Sequence, residues 1–232
     1  MYKLIVAYDG TRYFGWQKTK MGSSIQEELE KAIFRISGET VLPEAASRTD
    51  RGVHAQGQVV QFALTKEWSS QKLRTALNAL LPSDIRVLEV ERREFHPTLD
   101  AIGKEYHYRI CQGLAQDPIL RLYSWHYYYP LNFNKITQGI EELLGTHDFT
   151  ALANEIEKNP ICTIKSIEFD GALFKIRGDR FLYKMVRNIV GTLLYLGTGK
   201  LDAITPILAS KKRELAGVTA PAHGLYLHQV FF

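Results

Sequence analysis

Apolar side chains recur with strand or helix spacing in two successive stretches of the chain. In the first stretch the pattern predicts a strand over residues 2–8 that ends at the turn Asp9-Gly10. A helix follows from Ser24, whose spacing from Glu27 is that of a capping box, to Gly38. The remaining predicted elements are a strand over 58–64, a helix that begins at Ser69 or Ser70 and ends before Pro82, and a strand over 85–91.

A similar order of elements returns in the second stretch. The pattern predicts a strand over 105–111, a helix from Asn132 or Asn134 to near Gly145, a hairpin of strands 161–169 and 172–177, helices over 181–196 and within 201–210, and a last strand over 225–231. Such a mixture is typical of the α+β class, with helices packed on one face of a mostly antiparallel sheet. The two similar halves join near residues 92–103.

Composition narrows the class of protein only slightly. The chain has 232 residues, 45% of them hydrophobic, which is enough for a sizeable core. Lys and Arg outnumber Asp and Glu by 29 to 25, and the resulting charge of +4 is compatible with a nucleic-acid partner. Two cysteines form no disulfide framework and no zinc motif, and no apolar run has the length of a membrane span. We therefore expect a cytoplasmic protein without a metal.

The connector 47–54, between the first helix and the second strand, concentrates chemically active side chains. It contains Arg48, Asp50, Arg51 and His54. One interpretation is a simple turn in which Asp50 bonds its own backbone two residues further on. The other is a functional carboxylate, because a turn does not need two flanking arginines, and arginines on both sides would keep Asp50 ionised.

Tyr106 and Tyr108 alternate along the predicted strand over 105–111, so their side chains share one face. A tyrosine pair on a sheet is compatible with ordinary cross-strand packing. The functional alternative is a ring that stacks on a nucleotide base. The residues by themselves leave both interpretations open.

Arg180, Lys184, Arg187 and Gly191 follow one another at helical spacing, away from the broad apolar band of the predicted helix over 181–196. They form either a solvated basic face or a stripe that contacts phosphates, and one arginine could also turn inward to meet a carboxylate. Gly191 would permit the close approach of another backbone or of a ligand.

Residues 13–17, with the sequence Tyr-Phe-Gly-Trp-Gln, lie between Arg12 and Lys18. Aromatic and basic residues interleaved in a turn are typical of nucleic-acid contacts. An ordered hydrophobic loop would have the same composition, and the pattern favours neither interpretation.

Six segments in one order resemble the tRNA pseudouridine synthase A family. They extend from residue 8 to residue 225 and so cover essentially the whole chain. One such segment would be weak evidence, whereas six in order are highly specific. The segments are Tyr8-Asp9-Gly10 with Gly15-Trp16-Gln17, Arg48-Thr49-Asp50 with Gly52-Val53-His54, Lys104-x-Tyr106-x-Tyr108, Gly145-Thr146-His147-Asp148-Phe149-Thr150, Met185-Val186-Arg187-Asn188-Ile189-Val190-Gly191, and Ala220-Pro221-x-x-Gly224-Leu225.

The resemblance implies roles for four side chains. Asp50 would be the catalytic aspartate, acting as nucleophile or base, and Arg187 would pair with it. Tyr106 would lie beneath the target uracil, and Arg48 would help displace the target base from its stack. It also implies the pseudouridine synthase fold, with two ferredoxin-like halves at 1–98 and 99–232 and the active-site cleft between them. The first half would carry the aspartate, and the second the tyrosine and the arginine helix.

The resemblance further implies a homodimer that acts on the anticodon arm of tRNA, at tRNA positions 38, 39 and 40, without cofactor, metal or membrane. Another tRNA position or another RNA is the alternative for the target. A non-catalytic RNA-binding protein is the alternative from a different class. A hydrolytic glycosidase would need a second catalytic carboxylate, and none lies near Asp50 in sequence. Arg51 departs from the family pattern, which has a small residue at this position.

Overall fold

A computed structural model describes residues 1–155 and 158–232. Its strands, in chain order, are β1 Tyr2–Tyr8, β2 Glu44–Ala45, β3 His54–Phe62, β4 Ile85–Arg92, β5 Gly103–Cys111, β6 Trp125–His126, β7 Gly145–Asp148, β8 Ile161–Phe169, β9 Leu173–Gly178 and β10 Leu225–Phe231. Its helices are α1 Ile25–Ser37, α2 Ser70–Leu80, α3 Phe133–Leu143, α4 Met185–Gly197 and α5 Thr205–Ser210. Short 3-10 helices cover Thr150–Leu152, Arg213–Leu215 and Ala222–Gly224.

The predicted starts of α1, α2 and α3 are confirmed by side-chain caps. The Ser24 hydroxyl accepts a hydrogen bond from the Glu27 N–H at 3.2 Å, and Gly38 ends α1 with a left-handed φ of 74°. Ser69 caps α2 and Asn132 caps α3 in the same way. In each predicted pair of candidate caps, the earlier residue is therefore the one used.

The described chain divides into two compact units, and the first contains residues 1–102 together with Tyr226–Phe232. In its sheet β1 lies between β3 and β4 and is antiparallel to both, whereas β10 runs parallel to β3. Helix α2 packs against β4, and α1 packs against α2. The core consists of fully buried aliphatic side chains, namely Leu4, Ile25, Leu29, Ile33, Leu73, Leu77 and Ile85.

The second unit contains residues 103–225. Its antiparallel strands follow the order β5-β9-β8-β7, and the short strand β6 pairs with β5. Helix α4 packs against α3 and β5. The predicted hairpin is confirmed, because the Asp170 carboxylate accepts the Ala172 N–H at 2.9 Å and Gly171 has a φ of 98°. The core includes Tyr108, Ile136, Leu143, Phe174, Ile189 and Leu193.

Two predicted boundaries are wrong. Helix α4 begins at Met185 and not at Phe181, because Lys184 has a left-handed φ of 61°. Arg180 and Lys184 therefore precede the helix, and the predicted four-residue basic stripe does not form. Strand β3 begins at His54, earlier than predicted, so the end of the 47–54 connector is already strand.

Both units mix helices with a mainly antiparallel set of strands, which confirms the predicted α+β class. The boundary between residues 98 and 99 stays a prediction. Strands β2, β6 and β7 were not predicted, since two to four residues are too few to show a periodic pattern. Within the described ranges, every helix is too short or too polar to cross a membrane.

Candidate functional site

In the first unit, the loop that carries Asp50 is held by buried polar contacts on both sides. The Thr49 carbonyl accepts a hydrogen bond from the Trp16 N–H at 3.0 Å, and its hydroxyl lies 2.8 Å from the Tyr8 hydroxyl. Gln58, which is fully buried, bonds both backbone groups of Ser47. The residues directly before Asp50 therefore have a defined position.

Two glycines allow this loop to lie directly on the segment that follows β1. A Cβ atom on Gly10 would come within 2.0 Å of the Val53 carbonyl oxygen. A Cβ atom on Gly15 would lie 2.5 Å from the Thr49 carbonyl oxygen, and Gly15 also has a left-handed φ of 91°. Because backbone meets backbone at these points, larger residues would push the loop away.

Asp50 itself is half-buried, whereas Arg48 and Arg51 on either side are exposed. The Val53 N–H donates to the Asp50 carbonyl at 3.1 Å, and Gly52 has a φ of 78°, so a turn is indeed present. This turn uses the Asp50 main chain. A turn and a functional carboxylate are therefore compatible interpretations of this segment, because the main-chain turn positions the Asp50 side chain.

Arg51 places its guanidinium 4.2 Å from the centre of the Phe14 ring. This is a cation–π arrangement at the surface of the loop. Phe14 is thus a nearby contact partner for Arg51, the residue of the connector that departs from the family pattern.

His54 closes the other end of the connector. Its Nδ1 accepts the Gly10 N–H at 3.0 Å, and its ring stacks on Tyr226 at 5.1 Å. The same Nδ1 lies 3.1 Å from the Asp9 carboxylate, so His54 joins the turn after β1 to the start of β3.

The aromatic residues of segment 13–17 are mostly inside the protein. Tyr13 and Trp16 each expose 3% of their surface. The Tyr13 hydroxyl donates to the Asp84 carboxylate at 2.7 Å, and burial together with this carboxylate raises the pKa of Tyr13. Arg12 forms an ion pair with the same carboxylate at 2.7 Å. Of the two interpretations of this segment, the ordered hydrophobic loop fits these rings.

In the second unit, Tyr106 and Tyr108 share one face of β5, as predicted. The Tyr106 ring meets Phe181 edge-on, with ring centres 5.2 Å apart and planes at 87°. The Tyr108 hydroxyl donates to the Pro221 carbonyl at 2.8 Å. Burial raises the pKa of Tyr108 well above its usual value, and the positive charge of Arg187 opposes that rise.

Arg187 lies in the first turn of α4 and is fixed by residue 220. Its Nε donates to the Ala220 carbonyl at 2.7 Å, and the Ala220 N–H donates back to the Arg187 carbonyl at 3.1 Å. A Cβ atom on Gly191 would lie 1.7 Å from the Val218 carbonyl oxygen. Of the two expectations for Gly191, the close approach of another backbone is the one observed. That backbone belongs to the same segment that anchors Arg187.

Asn188 is a structural residue for which the sequence suggested no role. It is fully buried, and its amide donates to the Leu152 carbonyl and to Asn154 Oδ1, both at 2.8 Å. Its Oδ1 accepts from Arg213 at 2.8 Å and from Thr219 at 2.7 Å. In the sequence, only its place in the segment 185–191 indicated a role for Asn188. The four hydrogen bonds connect α4 to three other segments of the chain.

The predicted site residues thus occur in two groups. Arg48 and Asp50 share one loop of the first unit, whereas Tyr106 and Arg187 lie on β5 and α4 of the second unit. Pairing between Asp50 and Arg187 stays a prediction.

The chain is similar to known proteins over nearly its whole length. A family model described as tRNA pseudouridine synthase matches residues 4–96 and 140–232. The first matched range contains Asp50 and Arg48, the second contains Arg187, and Tyr106 lies between the two.

Individual proteins similar to this chain are also named as tRNA pseudouridine synthases. A protein of Protochlamydia amoebophila named tRNA pseudouridine synthase A 2 is 47% identical, over 99% of this chain and 93% of its own length. A Bacillus cereus protein named tRNA pseudouridine synthase A 1 is 43% identical, over 98% of this chain and 97% of its own. A Streptococcus equi protein named tRNA pseudouridine synthase A is 40% identical, over 100% of this chain and 98% of its own.

Proposed function

The chain belongs to the tRNA pseudouridine synthase family, and on this premise we propose that it isomerises uridines of the anticodon arm of tRNA, at positions 38, 39 and 40. The enzyme is an isomerase that acts on tRNA. The observation that carries the proposal is the position of the half-buried Asp50, on a loop that buried polar contacts hold.

Formation of pseudouridine separates uracil from its ribose, rotates it, and joins it again through carbon. Atoms are conserved, so the reaction requires no redox cofactor. In our proposal the Asp50 carboxylate assists departure of the uracil as nucleophile or as base. Arg187 pairs with Asp50 in this proposal, and its positive charge stabilises the carboxylate. The bond from Arg187 Nε to Ala220 supports this role, because it fixes the plane of the guanidinium.

Tyr106 supports the detached uracil in this proposal. Its edge-on contact with Phe181 holds the ring plane, which a stacking platform needs. Arg48 is exposed beside Asp50 and helps to displace the target base. Extrusion of a base costs a few kcal/mol, and stacking on an aromatic ring returns roughly 1–3 kcal/mol of that.

A homodimer located in the cytoplasm completes the proposal. The net charge of +4 is small for a protein that binds RNA, and two chains would combine their basic surfaces. Sedimentation equilibrium of the purified chain tests this part. A mass equal to one chain at micromolar concentration would contradict it.

Replacement of Asp50 by asparagine tests the reaction. We expect Asp50→Asn to bind an unmodified tRNA transcript but to form no pseudouridine, as measured by chemical mapping at single-nucleotide resolution. Asp170→Asn, at the tip of the β8–β9 hairpin, is the matched control and should convert tRNA normally. If Asp50→Asn converts uridines at the wild-type rate, the reaction does not depend on Asp50 and its assignment as the catalytic residue is wrong. If neither the parent nor the variant converts uridines, the chain is better described as a non-catalytic RNA-binding protein. Pseudouridine at other positions would instead reassign the target.

A further inference from the structure

Lys104 lies two residues before Tyr106 on β5, so both side chains project from the same face of the strand. The residue opposite Lys104 on β9 is Gly178, which has no side chain to cover it. The Phe181 ring lies over that glycine, since a Cβ atom there would be 3.0 Å from the ring. Lys104 is therefore next to the Tyr106–Phe181 pair.

The Lys104 ammonium has an unfavourable environment in the protein alone. Burial and, to a smaller extent, the positive charge of Arg180 lower the pKa of Lys104 from 10.5 to about 8. No hydrogen-bond or ion-pair partner of its Nζ occurs among the residues 1–155 and 158–232. A cation that is partly desolvated, unpaired and close to a second cation reduces stability.

The second cation has a defined position. Arg180 Nη1 donates to the Asn159 carbonyl at 2.9 Å, which anchors one edge of the guanidinium. The carboxylate of the preceding residue, Asp179, accepts the Thr163 N–H at 2.8 Å. Arg180 directly precedes Phe181 and Lys104 lies two residues before Tyr106, so both cations adjoin the Tyr106–Phe181 pair.

We propose that Lys104 and Arg180 form a binding site for a backbone phosphate of the RNA, next to the nucleotide whose base lies on Tyr106. This inference rests on the proposed function and adds to it the group that holds the substrate backbone. Side chains two positions apart on a strand are roughly 7 Å apart, a separation comparable to that between a base and the phosphate of its own nucleotide. Lysine and arginine are the two side chains that neutralise phosphates, and a phosphate at this position would give the Lys104 ammonium a counterion.

Binding of an unmodified tRNA transcript as a function of salt tests the proposal. Binding is measured in the Asp50→Asn background, in which the transcript is expected to stay unmodified. We expect Lys104→Met to weaken binding roughly tenfold and to reduce the slope of log K against log salt by about one. Arg180→Gln should reduce the slope in the same direction, whereas Lys104→Arg should retain it.

Lys175→Met is the matched control. Lys175 is on the neighbouring strand β9 but pairs in register with His107, so it lies on the opposite face, where it contacts Glu168 at 3.4 Å. The Lys175→Met variant should bind tRNA as the parent protein does. Equal slopes for Lys104→Met and the parent would overturn the phosphate site, as would equal losses for Lys104→Met and Lys175→Met. Either result leaves the proposed function intact as long as Asp50→Asn abolishes pseudouridine formation.

Discussion

The Tyr8 hydroxyl lies 2.8 Å from the Thr49 hydroxyl and so positions the residue directly before Asp50, although 41 positions separate the two in sequence. The same Tyr8 oxygen accepts a hydrogen bond from Gln58 Nε2 at 3.3 Å. Gln58 in turn bonds Ser47, so one buried set of contacts spans β1, β3 and the loop. Because its members are buried, loss of the Tyr8 hydroxyl removes one hydrogen-bond partner from each of its neighbours.

We therefore expect Tyr8→Phe to reduce kcat roughly tenfold through displacement of the Asp50 loop, with little change in KM. The free energy of unfolding should fall by about 1–3 kcal/mol, because buried hydroxyl and amide groups lose a partner. Single-turnover conversion of tRNA and urea unfolding measure the two effects.

Tyr2→Phe is the control for this prediction. Tyr2 is on the same face of β1, and its hydroxyl bonds both backbone groups of Trp68, away from Asp50. It should lose comparable stability and keep kcat. The same kcat in both variants would show that the Tyr8 contact does not position the catalytic loop.

Gly15→Ala should abolish activity and reduce stability more than an ordinary glycine replacement. The new methyl group would lie 2.5 Å from the Thr49 carbonyl, and the left-handed φ of 91° adds strain. Gly38 has a similar φ of 74°, but a Cβ atom there would have nothing within 4 Å. Gly38→Ala therefore measures the effect of backbone strain without a steric contact.

The Gly38→Ala control should therefore cost roughly 1–2 kcal/mol and leave kcat unchanged. Urea unfolding of both variants gives the difference in stability, and tRNA conversion gives the difference in activity. Wild-type activity in Gly15→Ala would mean that the loop moves without consequence for catalysis.

Arg51→Ala should leave kcat unchanged and reduce stability by about 0.5–1 kcal/mol, the value of an exposed cation–π contact. Its guanidinium lies over the Phe14 ring at 4.2 Å, which accounts for the residue within the loop. Steady-state kinetics and urea unfolding measure these quantities, and Arg51→Lys tests the contribution of charge. A tenfold loss of kcat in Arg51→Ala would give Arg51 a role in the reaction.

Lys104→Met should stabilise the protein at pH 7, and the gain should disappear at high pH. In the folded protein the pKa of Lys104 is lowered to about 8 from its usual 10.5. Between these values the unfolded chain binds more protons than the folded one, so the stability of the wild type rises with pH in this window. Below about pH 8 Lys104 is charged in the folded protein, so the full free-energy cost of its partly buried charge is present.

The expected gain is roughly 1–3 kcal/mol at pH 7 and close to zero near pH 10.5. Urea unfolding of both proteins at several pH values measures it. Lys175→Met removes a surface ion pair and should change stability by at most about 1 kcal/mol. Loss of stability in Lys104→Met at pH 7 would show that the ammonium has a favourable partner in the folded protein.

Local patterns predicted most elements because their signals lie within the element itself. The cap at Ser24, the turn at Gly171 and the alternation in β5 depend only on neighbouring residues, and all are confirmed. The start of α4 was missed because Phe181 contacts Tyr106 in a distant strand and Lys184 has a left-handed φ, features that helical spacing does not contain.

The sequence by itself determined the α+β class, the family and the candidates Asp50, Arg48, Tyr106 and Arg187, since motif order and periodicity are properties of the chain. Only the tertiary structure decided what holds these side chains. The contact from Tyr8 to Thr49 and the bond from Arg187 to Ala220 join residues 41 and 33 positions apart. The tertiary structure also decided that Lys104 is a partly buried cation, because desolvation depends on what folds around a side chain and not on its neighbours in sequence.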